Sequence, residues 1–429
     1  MPPLSPARLL HNPPATFRAE MGNRFQDFHR VLAAESVSNF GAMLSRLAIP
    51  WLATLTLAAT PLQMGWLLVA DVLAGAVGGL LLGAWIDARG KRRVMLVTDV
   101  LRAAVLAGLG ALAWLQQLNL PLLVAAAAAN GLLTVAFEMA RSAWMAQRIA
   151  DANLTRANAQ LAVGTSLSET LAFALGGWLY QGLGAVLALL VDALSYLASA
   201  LCLRGLPEAP AAAQAAREGP VWRQWRDDTA AGLALLWSDS RLRLLAVIEV
   251  LGALAMSLGG TSYMIFVTRE LGFSTGEQGL IFATGGLGAL LGASLAVRLG
   301  RRLGGGMAMA AGLALCALGA ACTPLAVGAG LMAAALLVTQ QVVGDAGQTV
   351  HQIHERTLRQ TLVPEGLLAR VDGGLRSLGQ GATLAGALGG GMLASAWGTR
   401  LALWGMVALM GLAAVLAWRG LAAVRSPQP

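Results

Sequence analysis

The chain has 429 residues, 57% of them hydrophobic and 12% charged, with a mean hydropathy of +0.65. A soluble protein carries roughly 25% charge, and a soluble chain of this length needs polar surface for several domains, so this composition excludes a water-soluble protein and points to lipid as the solvent. The net charge of +8 is carried by arginine, with Lys91 the one lysine; it reads as loop charge that sets membrane topology, and no nucleic-acid partner is expected.

Residues 1–27 are a polar tail broken by Pro2, Pro3, Pro6, Pro13 and Pro14, without the early apolar core of a secretory signal. The tail is expected in the cytoplasm. A membrane-crossing helix needs roughly 20 apolar residues. The apolar runs at 31–57, 62–85, 93–115, 119–140, 158–180 and 184–204 meet that length. A polar stretch follows, then runs at 243–267, 276–298, 305–323, 325–349, 369–396 and 399–419. The expected fold is therefore an all-α integral membrane protein with twelve transmembrane helices. They form two six-helix halves, 28–204 and 243–420, with a C-terminal tail at 421–429. Between the halves, residues 205–242 open with an alanine- and proline-rich linker. They continue with Trp222, Trp225, Leu233, Leu236 and Trp237 among charges, the pattern of an amphipathic helix on the inner leaflet.

Connections alternate. Those at Ala58–Pro61, Gln116–Asn119, Gln181–Gly184 and around Thr323–Pro324 are short and uncharged, whereas those at 89–93, 141–156, 204–243, 298–302 and 356–370 are rich in arginine. The arginine-rich side is cytoplasmic, so both termini are expected inside.

The chain repeats itself. Residues 171–177 (LAFALGG) match 384–390 (LAGALGG) at an offset of 213. Thr60–Gln63 and Ser274–Glu277 both have the form of a capping box, a hydroxyl followed three residues on by an amide or acid, at an offset of 214. Internal duplication of this kind builds many secondary transporters. Gly75, Gly79 and Gly83, and Gly288 and Gly292, stand at four-residue spacing, which lets helices approach closely in lipid.

Between the second and third spans stands Gly83-Ala84-Trp85-Ile86-Asp87-Ala88-Arg89-Gly90-Lys91-Arg92-Arg93. This resembles the loop signature of the major facilitator superfamily, with Ala88 where the family often has a base. The stretches LVTDVLRA (96–103), AGLALLWSDSRLRL (231–244) and LRQTLVPEGLLARV (358–371) resemble its drug- and siderophore-exporter branch, which includes enterobactin and macrolide exporters. The resemblance spans roughly residues 30–420. It implies a conformational latch of Gly83, Asp87, Gly90, Lys91, Arg92 and Arg370. Asp87 would face the N-terminus of the eleventh span, where a helix dipole favours an anion, and Arg370 would add an ion pair there. The Gly-Pro of the antiporter motif in the fifth span is absent, although Gly176-Gly177 remains.

An ionisable group at membrane depth costs at least about 2.5–3.5 kcal/mol and needs a partner or a wet cavity. Arg46, Asp71, Glu169, Asp192 and Glu249 lie at such depth, with Arg46 expected to pair with Asp71. Asp71, Glu249 and Glu169 are the candidates for carrying a proton, while Asp192 reads as structural. Asp99, Arg102, Glu138 and Asp345 are expected nearer the inner face, as solvated ends. In a facilitator fold the first, fourth, seventh and tenth spans line the solute path. The resemblance then implies a substrate cavity with Arg46, Asn130, Glu249, Ser257, Tyr263, Gln340 and Gln341. Met43, Trp51, Met256, Met264 and Phe266 would add adaptable apolar surface.

Cys202, Cys316 and Cys322 have no disulfide or zinc spacing. His351 and His354 are expected in a loop, and neither a metal nor another cofactor is expected. No nucleophile elbow or nucleotide-binding loop is present, which argues against an enzyme. The expected function is a proton-coupled antiporter in the cell inner membrane, a monomer that effluxes small amphipathic substrates by alternating access. An importer or lipid mover of the same fold is the alternative, or a receptor that moves nothing.

Overall fold

The computed structural model describes residues 15–87, 89–149, 151–208, 221–363 and 367–421. The ends of both tails and most of the alanine- and proline-rich linker lie outside them. The described chain is helical: α1 (Ala15–Trp51), α2 (Pro61–Asp87), α3 (Lys91–Trp114), α4 (Leu120–Arg148), α5 (Asp151–Arg204), α6 (Val221–Ser238), α7 (Ser240–Ile265), α8 (Thr275–Leu303), α9 (Gly305–Leu325), α10 (Leu331–Leu362), α11 (Leu368–Trp397) and α12 (Thr399–Leu421). Eight of them, namely α2, α3, α4, α5, α7, α8, α9 and α12, contain segments long and apolar enough to cross a bilayer by themselves. α1, α10 and α11 do not, because charge and glycine interrupt their apolar runs.

α5 holds both the fifth and sixth expected spans and breaks between them at Gly184, whose φ of 78° and ψ of 172° are closed to most side chains. α1 starts at Ala15, inside the expected tail, because the stretch after Pro13-Pro14 holds no further proline to stop a helix. α10 runs on to Leu362. His351 and His354 are therefore helical and buried, not in a loop, and the His354 ring Nε2 stands 3.0 Å from the carbonyl oxygen of Ala296 on α8.

Helix ends follow local chemistry. Asn119 caps α4 by accepting from the Leu122 amide at 3.1 Å. Asp239 accepts from the Arg241 amide at 2.7 Å at the start of α7. That backbone bond, ahead of the Arg241 guanidinium, holds the Asp239 carboxyl below its ordinary range. Both capping boxes close reciprocally: Thr60 with Gln63, and Ser274 with Glu277.

The packing falls into two groups with the same pairing pattern. In the first, α1 and α3 lie on α5, and α2 and α3 lie on α4; in the second, α11 and α12 lie on α7, α8 and α9 lie on α10, and α9 lies on α12. The groups join through α2 against α11 and α5 against α8, while α6 rests on α11.

The repeat extends to the backbone at an offset of 214. The π-helical turn Leu52–Thr56 recurs as Phe266–Glu270. The left-handed Ala58 (φ 50°) recurs as Gly272 (φ 83°), and Gly184 recurs as Gly398 (φ 90°). The sequence match at 213 is one residue out of register. Only the pair Gly176-Gly177 fits both registers, through the run Gly389-Gly390-Gly391, and the backbone and packing select 214.

Candidate functional site

Close contacts between the groups cluster at the end of the bundle away from the termini. A Cβ at Gly65 on α2 would stand 2.6 Å from the Ala387 carbonyl of α11, and one at Gly279 on α8 would stand 2.9 Å from the Phe173 carbonyl of α5. These two contacts are related by the 214-residue offset, as are Gly391 against Pro61 and Gly177 against Thr275. Side chains seal the same end. The Trp51 indole N–H donates to Gln278 Oε1 at 2.9 Å, and the Gly276 amide donates to Gln181 Oε1 at 3.1 Å. The Arg269 guanidinium donates to the carbonyls of Ala59 and Thr54. Gly286 against Thr170 Oγ1 reaches deepest into the bundle.

Within each group, glycine brings two helices together around a carboxylate. On the α2–α4 seam, Gly131 lies against the backbone of Asp71, and its Cβ position is 2.9 Å from Asp71 Oδ1. Gly75 and Gly78 continue this seam against Val135 and Leu132. Arg46 on α1 is exposed and acts electrostatically on Asp71 without the direct ion pair that the sequence suggests. Asn130, next to Gly131, is half-buried.

On the α8–α10 seam, Gly285 faces Asp345 Oδ2, with Gln341 Nε2 3.4 Å from its Cβ position. Gly288 and Gly292 continue against Val342 and Ala346. Gly285 lies ten residues along α8 from Thr275, about 15 Å at 1.5 Å per residue, which is half of a hydrocarbon core of about 30 Å. Asp345 is thus well inside the length of the bundle, away from either end of α10, and not at a solvated helix end as its sequence context suggests. Tyr263 on α7 lies within electrostatic range of the Asp345 carboxylate, and its ring lies 5.7 Å from that of Phe282 on α8.

The remaining candidate residues take other positions. Ser257 donates to the Thr383 carbonyl of α11 at 2.7 Å. Glu249 is half-buried against Gly379 of α11, 3.1 Å from its Cβ position, and senses Arg359. Arg359 pairs with Glu355 at 3.2 Å and Asp372 at 3.1 Å. Gln340 is half-buried, with its Oε1 lacking a hydrogen-bond partner. Glu169 is half-buried on α5.

At the latch, the side chain of Asp87 lies outside the described residues. Gly90 is the N-cap of α3 in extended conformation. Lys91 is buried and donates to the Ile86 carbonyl at 2.7 Å. The Arg92 amide donates to Glu208 Oε1 at 2.9 Å, so an acid at the start of the linker occupies the α3 N-terminus, where dipole and free amides favour it. Arg370 is exposed, its carbonyl packed on Gly232 of α6.

One cluster escaped the sequence reading. Asp99 and Arg102 are 0% and 4% exposed and are not solvated ends. Ser199 donates to Asp99 Oδ2 at 2.7 Å, and Arg102 stands 3.6 Å from Asp99 Oδ1 while donating to the Leu133 carbonyl at 2.9 Å. Phe137 and Tyr196 flank the guanidinium at 5.0 Å each. Asp192, 1% exposed, lies within electrostatic range of Arg102 and accepts from Ser195 at 3.2 Å. At the repeat-related positions the second group carries Leu313, Cys316, Met406, Met410 and Ala413, all buried.

This is the architecture of a multi-pass membrane transporter. The family model of the Major Facilitator Superfamily matches residues 31–373, and the chain belongs to that superfamily. It is 28% identical over 410 residues to the multidrug efflux pump Tap of Mycobacterium tuberculosis strain H37Rv, covering 92% of each chain. It is 25% identical over 373 residues to the uncharacterised MFS-type transporter YfiS of Bacillus subtilis strain 168, covering 87% of this chain and 88% of that one. Among solved structures, the fold is similar to a nucleoside transporter NupG mutant (TM-score 0.72, 14% identity, 92% and 99% of the two chains). It is also similar to an inward-facing bacterial homologue of the iron transporter ferroportin (TM-score 0.70, 18% identity, 92% and 98%).

Proposed function

We propose that this protein is a proton-coupled exporter of small amphipathic compounds, acting as a monomer in the bacterial plasma membrane by alternating access. Its twelve crossings form two six-helix halves with both termini in the cytoplasm. The halves rock about the α2–α11 and α5–α8 contacts, and the described arrangement, sealed away from the termini, is the inward-facing state. The observation that carries this reading is the confinement of close inter-group contacts to one end, around two seams with a carboxylate well inside the bundle. A rigid scaffold gains nothing from charge at that depth, where each uncompensated group is costly. The similarity to Tap, named a multidrug efflux pump, supports export over uptake. The latch of Gly83, Asp87, Gly90, Lys91, Arg92 and Arg370 would hold the cytoplasmic end in the opposite state, with Asp71, Glu249 or Glu169 carrying the proton.

The test uses everted vesicles with an imposed proton gradient, a pH-sensitive dye and a panel of lipophilic drugs and siderophores. Compounds that dissipate the gradient with wild type, and fail to do so with Asp71→Asn or Glu249→Gln, establish proton-coupled export and name the carrier. Compounds that bind but never move the gradient replace this reading with a uniporter or a lipid mover.

A further inference from the structure

The repeat sets two positions in exchange. Asp71 on α2 corresponds to Gly285 on α8, and Gly131 on α4 corresponds to Asp345 on α10, both at an offset of 214. Each carboxylate therefore stands at the same point of its own seam, delivered from the opposite helix, with glycine facing it. The two sites differ in one respect. Arg46 on α1 acts on Asp71. Its repeat counterpart on α7 is Gly260, which is exposed and has no heavy atom within 4 Å of its Cβ position. Among the described residues, the Asp345 carboxylate has neither an ion pair nor a hydrogen bond, and no basic side chain acts on it. The first seam thus carries its own cation, whereas the second has the carboxylate and, at the repeat position of the cation, an exposed glycine.

We propose that Asp345 is the residue that binds the positive charge of a lipophilic organic cation, which takes beside it the place that the Arg46 guanidinium takes beside Asp71. This inference rests on the transporter reading and names the substrate class of its site. Tyr263 and Phe282, with ring centroids 5.7 Å apart and planes tilted by 42°, supply aromatic surface for such a cation, and Gln341 supplies a polar edge on the same seam. A carboxylate well inside a membrane-spanning bundle attracts an unhydrated organic cation strongly, because no water competes. A neutral ligand gains nothing from it.

The test measures binding to the purified full-length protein in nanodiscs, with ethidium and tetraphenylphosphonium as cationic probes and Nile red as a neutral one. Asp345→Asn is expected to weaken both cations at least tenfold and leave Nile red unchanged. Asp345→Glu is expected to retain cation binding. Gly260→Arg, which installs the built-in cation of the other seam, is expected to exclude both cations while the protein stays monodisperse. Wild-type cation affinity in Asp345→Asn overturns the assignment. Absence of saturable binding of either cation to wild type overturns the substrate class. The proton-coupled export reading fails separately, if no compound of the vesicle panel moves the proton gradient.

Discussion

The Trp51 indole on α1 donates a hydrogen bond to Gln278 on α8 and so ties the two helix groups together at their sealed end, at a point where both side chains are almost wholly buried. Beside it, the Gln278 amide donates to Thr268 and the Phe273 carbonyl. Those two bonds lie within the second group and hold the glutamine in place, whereas the Trp51 bond exists only while the groups touch. Gln278→Met keeps the volume and removes the bond, leaving the indole N–H buried without a partner. A net loss of about 1 kcal/mol shifts the balance between closed and open forms about fivefold. A cysteine replacing Thr275, read with a maleimide that cannot cross the membrane, should label several-fold faster in this background. Equal rates would show that the bond does not hold the seal.

Two glycine substitutions separate backbone from side-chain obstruction. A Cβ at Gly131 meets the Asp71 carbonyl oxygen, which moves only if the helices part, whereas a Cβ at Gly285 meets the end of the Asp345 side chain. Gly131→Ala should lower stability by about 1–3 kcal/mol, the usual range for overpacking, and Gly285→Ala by less. Thermal melting of the two variants in detergent ranks them; the reverse order would place the tighter seam in the second group.

The three charged residues of the first group's buried cluster, Asp99, Arg102 and Asp192, have the uncharged counterparts Leu313, Cys316 and Met406 at the repeat-related positions, so the fold itself does not require an ion pair there. Arg102→Met alone strands Asp99 and Asp192 and should cost about 3–5 kcal/mol, as for other broken buried pairs. The combined variant Asp99→Leu, Arg102→Cys, Asp192→Met copies the second group and should melt near wild type. Transport should fall in the combined variant although stability returns. Full transport would make the cluster purely structural.

Glu208 caps α3 through the Arg92 amide and lies against Gly90. Glu208→Gln keeps the shape and removes the charge, weakening an interaction worth about 0.3–1 kcal/mol at a helix N-terminus. Limited proteolysis within 209–220 should quicken in the variant at low salt, and the difference should shrink near 1 M salt as screening shortens to about 3 Å. A difference independent of salt would rule out the electrostatic cap.

Helical character and the capping boxes were legible because each depends on residues a few positions apart. Glycine spacing likewise marked the seams, but not what each glycine faces. That Gly131 meets Asp71 follows from the crossing of α2 over α4, sixty residues apart in sequence. Asp99 and Asp192 share a guanidinium only because α3 packs on the second part of α5. Asp345 sits near an arginine-rich stretch in sequence, which suggests a solvated end, but α10 continues beyond it to Leu362 and leaves it well inside the bundle. The match of 171–177 to 384–390 was off by one, although the capping boxes gave the register of 214 that the backbone follows.

Among the described helices, α1, α6, α10 and α11 lack a segment apolar enough to enter lipid unaided, and of these α1, α10 and α11 lie against α5, α9 and α7, each of which has one. This ties the order of synthesis to the order of insertion. α10 leaves the ribosome just after α9 and can be drawn in as the second leg of a hairpin, and α11 follows with α7 already in place. α1 precedes the other described helices, so none of them is in place to shelter it when it emerges. It must wait at the membrane surface, or inside the insertion machinery, until the apolar segments of α2 to α5 arrive. The polarity that a moving solute requires along its path is thus also what makes the first helix of this protein among the last to settle.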